Sequence, residues 1–235
     1  MLKFWKLLNG LYERLLILLF VLVFLVGLWQ MYDNYYMFNH ASDRSFLRYK
    51  PGSTAAETVR SSPISDEMIG WLTIDGTSID FPVMQAADNS KYLSTDVFGN
   101  YSMTGSIFLD SRNSPDFSDS FSMIYGHHME YGKMFGALDD FLNDAYLHAH
   151  ATGTLMLGRD GSVQYPLEVL AGLRVSVRER SVFDLDQKEA REYLSAQTGI
   201  DLSARGEPLV ALSTCQEASS LSRLVVLCCL KQSES

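Results

Sequence analysis

The chain has 235 residues, 47% hydrophobic and 20% charged, with 16 Gly and 6 Pro; this composition argues against disorder and fibrous repeats and leaves room for one membrane segment plus one folded domain. Its formal charge is −9, and the residues beyond the first thirty, which hold Lys3, Lys6, Arg14 and Glu13, are more acidic still, so nucleic acid is a poor partner. An acidic surface offers anionic lipid no attraction, so attachment to a membrane has to come from an inserted segment.

The stretch from Leu15 to Trp29 reads LLILLFVLVFLVGLW without a charge, and Gln30, Met31 and Tyr32 extend it to Asp33. That is enough to span a bilayer core of about 30 Å. Lys3, Lys6 and Arg14 precede it, which predicts a cytoplasmic tail over 1–14, a transmembrane signal anchor over 15–32 and a translocated remainder. Trp29, Tyr32, Tyr35 and Tyr36 suit the outer aromatic belt. A cleavable signal fits less well, because no small-x-small site follows.

Residues 33–66 are mixed and polar, with a Pro51-Gly52-Ser53 break, and are expected to form a stalk with helical content. The folded domain is expected over 67–235. Its first element, IGWLTIDGTSIDFPVMQ from Ile69, sets two apolar runs about Asp75-Gly76, a hairpin signal. Strand-like runs follow at Gly105–Leu109, Ser122–Tyr125, Ala151–Leu157, Val163–Val177, Leu209–Leu212 and Leu224–Leu230. Helical insertions are expected at Met134–Leu142 and Asp186–Gln197, the second capped by Asp184 or Asp186 and carrying an Ala190, Tyr193, Leu194 stripe. Many short strands with few helices predict a mainly β domain closed, or nearly closed, into a barrel.

Three cysteines, Cys215, Cys228 and Cys229, cannot form a dense disulfide framework. The last two are expected to fill a strand, one pointing inward and one outward. Cys215 differs. It ends the strand PLVALST, a polar loop follows, and Arg223 opens the next apolar run. Paired as a hairpin, those strands bring Cys215 and Arg223 face to face, about 5 Å apart at Cα. A fixed cation beside a thiol favours the reactive thiolate and can hold a developing oxyanion, but cannot act as a base. Proton transfer falls to a group titrating near neutrality, His127 or His128 in the segment YGHH. A metal site built from those histidines with His148 and His150 lacks a familiar ligand spacing. No metal and no other cofactor is therefore expected.

The segment Tyr125–Met129 in SMIYGHHMEYGKMF, LSTC at 212–215 and the following Arg223 together resemble the sortases, and class B among them. The likeness covers about residues 67–231. It implies an eight-stranded barrel with peripheral helices, the 186–197 helix and the N-terminal extension being class B features. It also implies Cys215 as nucleophile, His127, which directly follows the Gly, as acid and base, and Arg223 as oxyanion donor. Asn89 and Leu93 in ADNSKYL would line the substrate groove, and Ser213 and Thr214 would also contribute to substrate binding. The activity implied is transpeptidation. A C-terminal sorting signal of the LPxTG or NPxTN kind on a secreted protein is cleaved, and the acyl group passes to an amine of a peptidoglycan precursor or a pilin, outside a plasma membrane spanned once. Two other readings stand beside it: a cysteine peptidase that delivers the acyl group to water, and a non-catalytic tethered barrel that binds a partner.

Overall fold

A computed structural model describes residues 1–41, 44–52, 62–129, 131–214 and 221–231. The chain divides into two compact units, Met1–Ser42 and Asp43–Ser235. The first is the helix α1, Leu2–Ala41, within which Lys3–Tyr36 is long and apolar enough to cross a membrane. The helix runs past the apolar run on both sides, and no Pro occurs before residue 42 to break it.

The second unit holds β1 (Met68–Ile74), β2 (Asp80–Met84), β3 (Phe108–Leu109), β4 (Phe121–Gly126), β5 (His128–Met129) and β6 (Lys133–Met134), followed by α2 (Asp144–Ala149), β7 (Thr152–Leu157), β8 (Val163–Ser176), α3 (Arg180–Phe183), α4 (Gln187–Thr198), β9 (Leu209–Thr214) and β10 (Ser222–Leu230). Eight of these strands close into a barrel in the order β1-β2-β3-β4-β9-β10-β8-β7, and β5 with β6 forms a separate small hairpin. Pairs β2/β3 and β4/β9 are parallel; the rest are antiparallel.

Local chemistry explains the elements. Between β1 and β2 the turn places Gly76 at φ 72°, a left-handed conformation that glycine adopts without strain. Every residue of β4 and of β9 is buried, since a parallel pair in the middle of the sheet is covered on both faces. On the outside, the 3-10 segment Phe135–Leu142 packs on β8, β9 and β10, and α4 packs on β4 and β8. Asp186, not Asp184, caps α4, accepting from the backbone N–H groups of Lys188 (3.1 Å) and Glu189 (2.8 Å). Ala190 and Leu194 form its buried stripe.

Several expectations are refined. The run expected at 134–142 is a 3-10 segment from Phe135, because Met134 already pairs with His128 in the small hairpin. Only Phe108 and Leu109 of the 105–109 run are strand. The helices α2 and α3, six and four residues long, carry too few residues for a periodic signal. Both Cys228 and Cys229 are fully buried, and Cys229 is covered by Glu168, with Sγ 3.5 Å from Oε2, and by Arg205, 3.6 Å away.

Part of the segment expected as stalk packs on the barrel. Phe46, in the 3-10 turn Ser45–Tyr49, is buried with its ring 6.0 Å from Trp71 and 5.6 Å from Phe81. Beside it Asp80 Oδ1 accepts from Lys50 Nζ (2.7 Å), Trp71 Nε1 (2.7 Å) and Thr73 Oγ1 (3.0 Å). Deleting a buried aromatic costs transfer free energy plus a cavity. Phe46→Ala should therefore destabilise the barrel by about 3 kcal/mol in urea unfolding of the detergent-solubilised chain, whereas an unchanged midpoint would mean that this turn does not pack.

Candidate active site

Strand direction creates the site. β4 and β9 run parallel with Gly126 opposite Thr214, and β10 returns antiparallel with Val225 opposite Ser213. The C-terminal ends of β4 and β9 and the N-terminal end of β10 therefore share one rim of the barrel. His127 follows β4 directly, and Arg223 is the second residue of β10. Gly126 precedes the histidine for a packing reason: a Cβ there would come within 2.8 Å of the Phe135 ring and 2.9 Å of Ile107.

At this rim lies a cleft of about 440 Å³. His127, Arg223, Asn89 and Leu93 line it, over aromatic walls from Phe108, Tyr125 and Phe183. His127 Nε2 lies 2.7 Å from the carbonyl oxygen of Leu93. A carbonyl only accepts, so Nε2 is the donor of this bond. His128, one residue on, instead holds Asp139 at 2.7 Å and does not line the cleft. The guanidinium of Arg223 lies against two rings, with Cζ 4.8 Å from the centroid of Phe183 and 5.8 Å from that of Tyr125.

The other residues singled out in the sequence fall elsewhere. Ser213 and Thr214 are buried in β9 and do not line the cleft: Ser213 Oγ donates to the Thr214 carbonyl at 3.3 Å, and Thr214 Oγ1 accepts from Leu224 N–H at 3.3 Å. Cys215 lies outside the described residues. The remaining two cysteines are poor nucleophiles, because burial pushes both thiols up and so disfavours the thiolate.

Sequence reasoning missed Phe108, Phe183 and Asp110, and gave Tyr125 no role beyond its place in the motif. Asp110 follows β3 with no solvent exposure, and its Oδ2 accepts from Asn89 Nδ2 at 2.8 Å, fixing that cleft residue. Asn89 Oδ1 in turn accepts from the backbone of Ser111 at 2.7 Å. The only signal available was the DSR triplet after an apolar run, which reads equally well as a solvated turn.

Three comparisons agree with this geometry. The Sortase domain profile matches residues 72–231. Sortase B of Listeria monocytogenes is 39% identical over 108 residues, which cover 46% of this chain and 43% of that protein. Sortase B of Staphylococcus aureus is 27% identical over 178 residues, 70% of each chain. The crystal structure of a Streptococcus pyogenes class B sortase involved in pilus biogenesis superposes with a TM-score of 0.62 at 25% identity, covering 76% of this chain and 98% of that one. The chain belongs to the sortase family. Within it, the likeness is to class B.

Burial alone would raise the Asp110 carboxyl, but the hydrogen bonds and charge of Arg112, with Asn89, hold it below the usual carboxylate range. A carboxyl lowered on folding adds stability above its unfolded pKa of about 3.9, and that stability is lost as pH falls through the lower folded value. Asp110→Asn should cost about 2–3 kcal/mol at pH 6, the worth of hydrogen bonds to a charged group. The gap to the native chain should narrow below about pH 4 in urea titrations at each pH; a gap independent of pH would contradict the assignment.

Proposed function

We propose that this chain is a membrane-anchored cysteine transpeptidase, with Cys215 as nucleophile, His127 as acid and base and Arg223 as oxyanion donor. The observation that carries the reading is the convergence of His127 and Arg223 on one cleft at the rim where β9 ends. Continued by two residues, the register in which Val225 faces Ser213 would pair Arg223 with Cys215. The thiol of Cys215 would then meet a permanent cation, whereas burial pushes the other two thiols up.

The chemistry balances without ATP. The Cys215 thiolate attacks the threonine carbonyl of an LPxTG- or NPxTN-like signal, and Arg223 with a backbone N–H holds the oxyanion, an interaction often worth about 3–4 kcal/mol per donor. His127 protonates the departing glycine amine as the C–N bond breaks, leaving a thioester. An incoming amine then loses a proton to His127, its new C–N bond displaces sulfur, and the thiolate returns. Asn89 and Leu93 line the cleft at the level of His127 and suit the bound peptide. Ser213 and Thr214 would act from behind it, by shaping the end of β9.

The acceptor is an amine of a cell-wall precursor or a pilin; the pilus role of the S. pyogenes neighbour makes the second a concrete candidate. Residues 15–32 would anchor the enzyme, with residues 1–14 in the cytoplasm and the barrel outside. Substrate held on the same membrane then meets it at raised effective concentration.

The test is mass spectrometry of the full chain in detergent, mixed with sorting peptides and candidate amines. A thioester on Cys215 and an amine-dependent amide product are expected. Cys215→Ala should abolish the adduct with little change in melting temperature, and Arg223→Ala should lower turnover about 10²- to 10³-fold. Hydrolysis indifferent to amine would point to a peptidase, and a Cys215 inert to alkylation in the native fold to a non-catalytic barrel.

A further inference from the structure

Both carboxylate oxygens of the buried Asp110 are engaged by one neighbour. Oδ1 accepts from the backbone N–H and from Nε of Arg112, each at 2.9 Å, and Oδ2 accepts from Arg112 Nη2 at 2.7 Å beside its bond from Asn89. Arg112 then reaches further. Its Nη2 also donates, at 2.8 Å, to the carbonyl of Phe183, seventy-one positions along the chain. Phe183 ends α3, a four-residue helix too short to hold itself in place. Its ring is the nearer of the two against which the Arg223 guanidinium lies.

We propose that Asp110 and Arg112 are positioning residues: the pair fixes Phe183 as the bed of the Arg223 guanidinium, and so sets where that cation meets the reacting carbonyl. The inference rests on the reading of Arg223 as the oxyanion donor. Stacking on a ring uses the flat face of the guanidinium, so its direction is decided by where the ring sits. That ring is tied to the barrel by a bond to its own backbone carbonyl, through a side chain whose planar fork spans a carboxylate and a carbonyl on separate elements.

Charge supports the same assignment. Arg112 and Arg223 both approach Phe183, and two bare guanidiniums at one cleft would repel. Asp110 compensates Arg112 through both carboxylate oxygens, so the charge that Arg112 brings to Phe183 is offset. The pair also reaches other walls of the same cleft. Asp110 holds Asn89 directly, and its charge, with burial as the larger cause, raises the Tyr125 hydroxyl.

The test uses the full chain in detergent, with turnover divided by the number of sites that acylate. Arg112→Lys keeps the charge and loses the fork; Phe183→Leu keeps the packing and loses the ring. Each should lower kcat about tenfold with KM changed less than about twofold, the double variant should be no slower than Phe183→Leu alone, and Phe183→Tyr should restore the rate. Multiplying losses in the double variant, or full kcat in Arg112→Lys, would overturn the proposal. A second readout needs no substrate: the Nε–Hε resonance of Arg223, assigned with Arg223→Lys, should carry a ring-current shift that is lost in both Arg112→Lys and Phe183→Leu. Should the chain acylate no peptide, the functional reading fails, and this resonance alone decides the positioning role; a signal that does not move in Arg112→Lys refutes it.

Discussion

The site depends on the parallel pairing of β4 with β9. Strands adjacent in chain order tend to pair antiparallel through short turns, which sends their ends to opposite rims. Here the segment between β4 and β9 includes the small hairpin, α2, the β7/β8 pair, α3 and α4 before the chain returns beside β4 in the same direction. The register Gly126 opposite Thr214 brings the C-terminal ends of both strands, with His127 directly after β4, to one rim, and the antiparallel β10 brings Arg223 back to it. Burial on both faces makes that register costly to slip, since a shift of one residue would reverse every side chain of two fully buried strands.

Around this frame the molecule separates enclosed groups from those at the rim. Cys228 and Cys229 lie near the far end of β10, where burial pushes both thiols up, while Arg223 at the start of the same strand lines the cleft. Histidines divide similarly. His127 is oriented by the Leu93 carbonyl inside the cleft, and His128 is committed to Asp139 outside it. One residue of offset at the end of β4 separates a histidine that lines the cleft from one bonded to Asp139 outside it.

Cation placement follows a different logic, resting on aromatic faces and on one buried acid. The cleft walls Phe108, Tyr125 and Phe183 come from β3, β4 and α3, and the rings of the last two are what the Arg223 guanidinium meets. Asp110 and Arg112 join β3 to α3 beneath them. The N-terminal helix is a separate unit whose apolar length is set by composition alone, whereas the turn at Ser45–Tyr49 belongs to the barrel through Phe46.

The sequence by itself determined whatever is encoded by near neighbours. Alternation and turn residues marked the eight barrel strands but not the small β5/β6 hairpin, the cap and stripe marked α4, and an uncharged run marked the long apolar helix α1. His127 and Arg223, two of the residues that share the cleft, were legible as well, because each is pinned to the end of a strand and strand ends can be read locally. Tertiary structure alone decided what depends on distant pairs: the parallel β4/β9 register, the bonds of His127 to Leu93 and of His128 to Asp139, the enclosure of Cys229, the burial of Ser213 and Thr214 away from the cleft, and the tie from Asp110 through Arg112 to Phe183. A carboxylate in a DSR triplet looks solvated in any local window. Its burial arises only when elements more than seventy residues apart close over it.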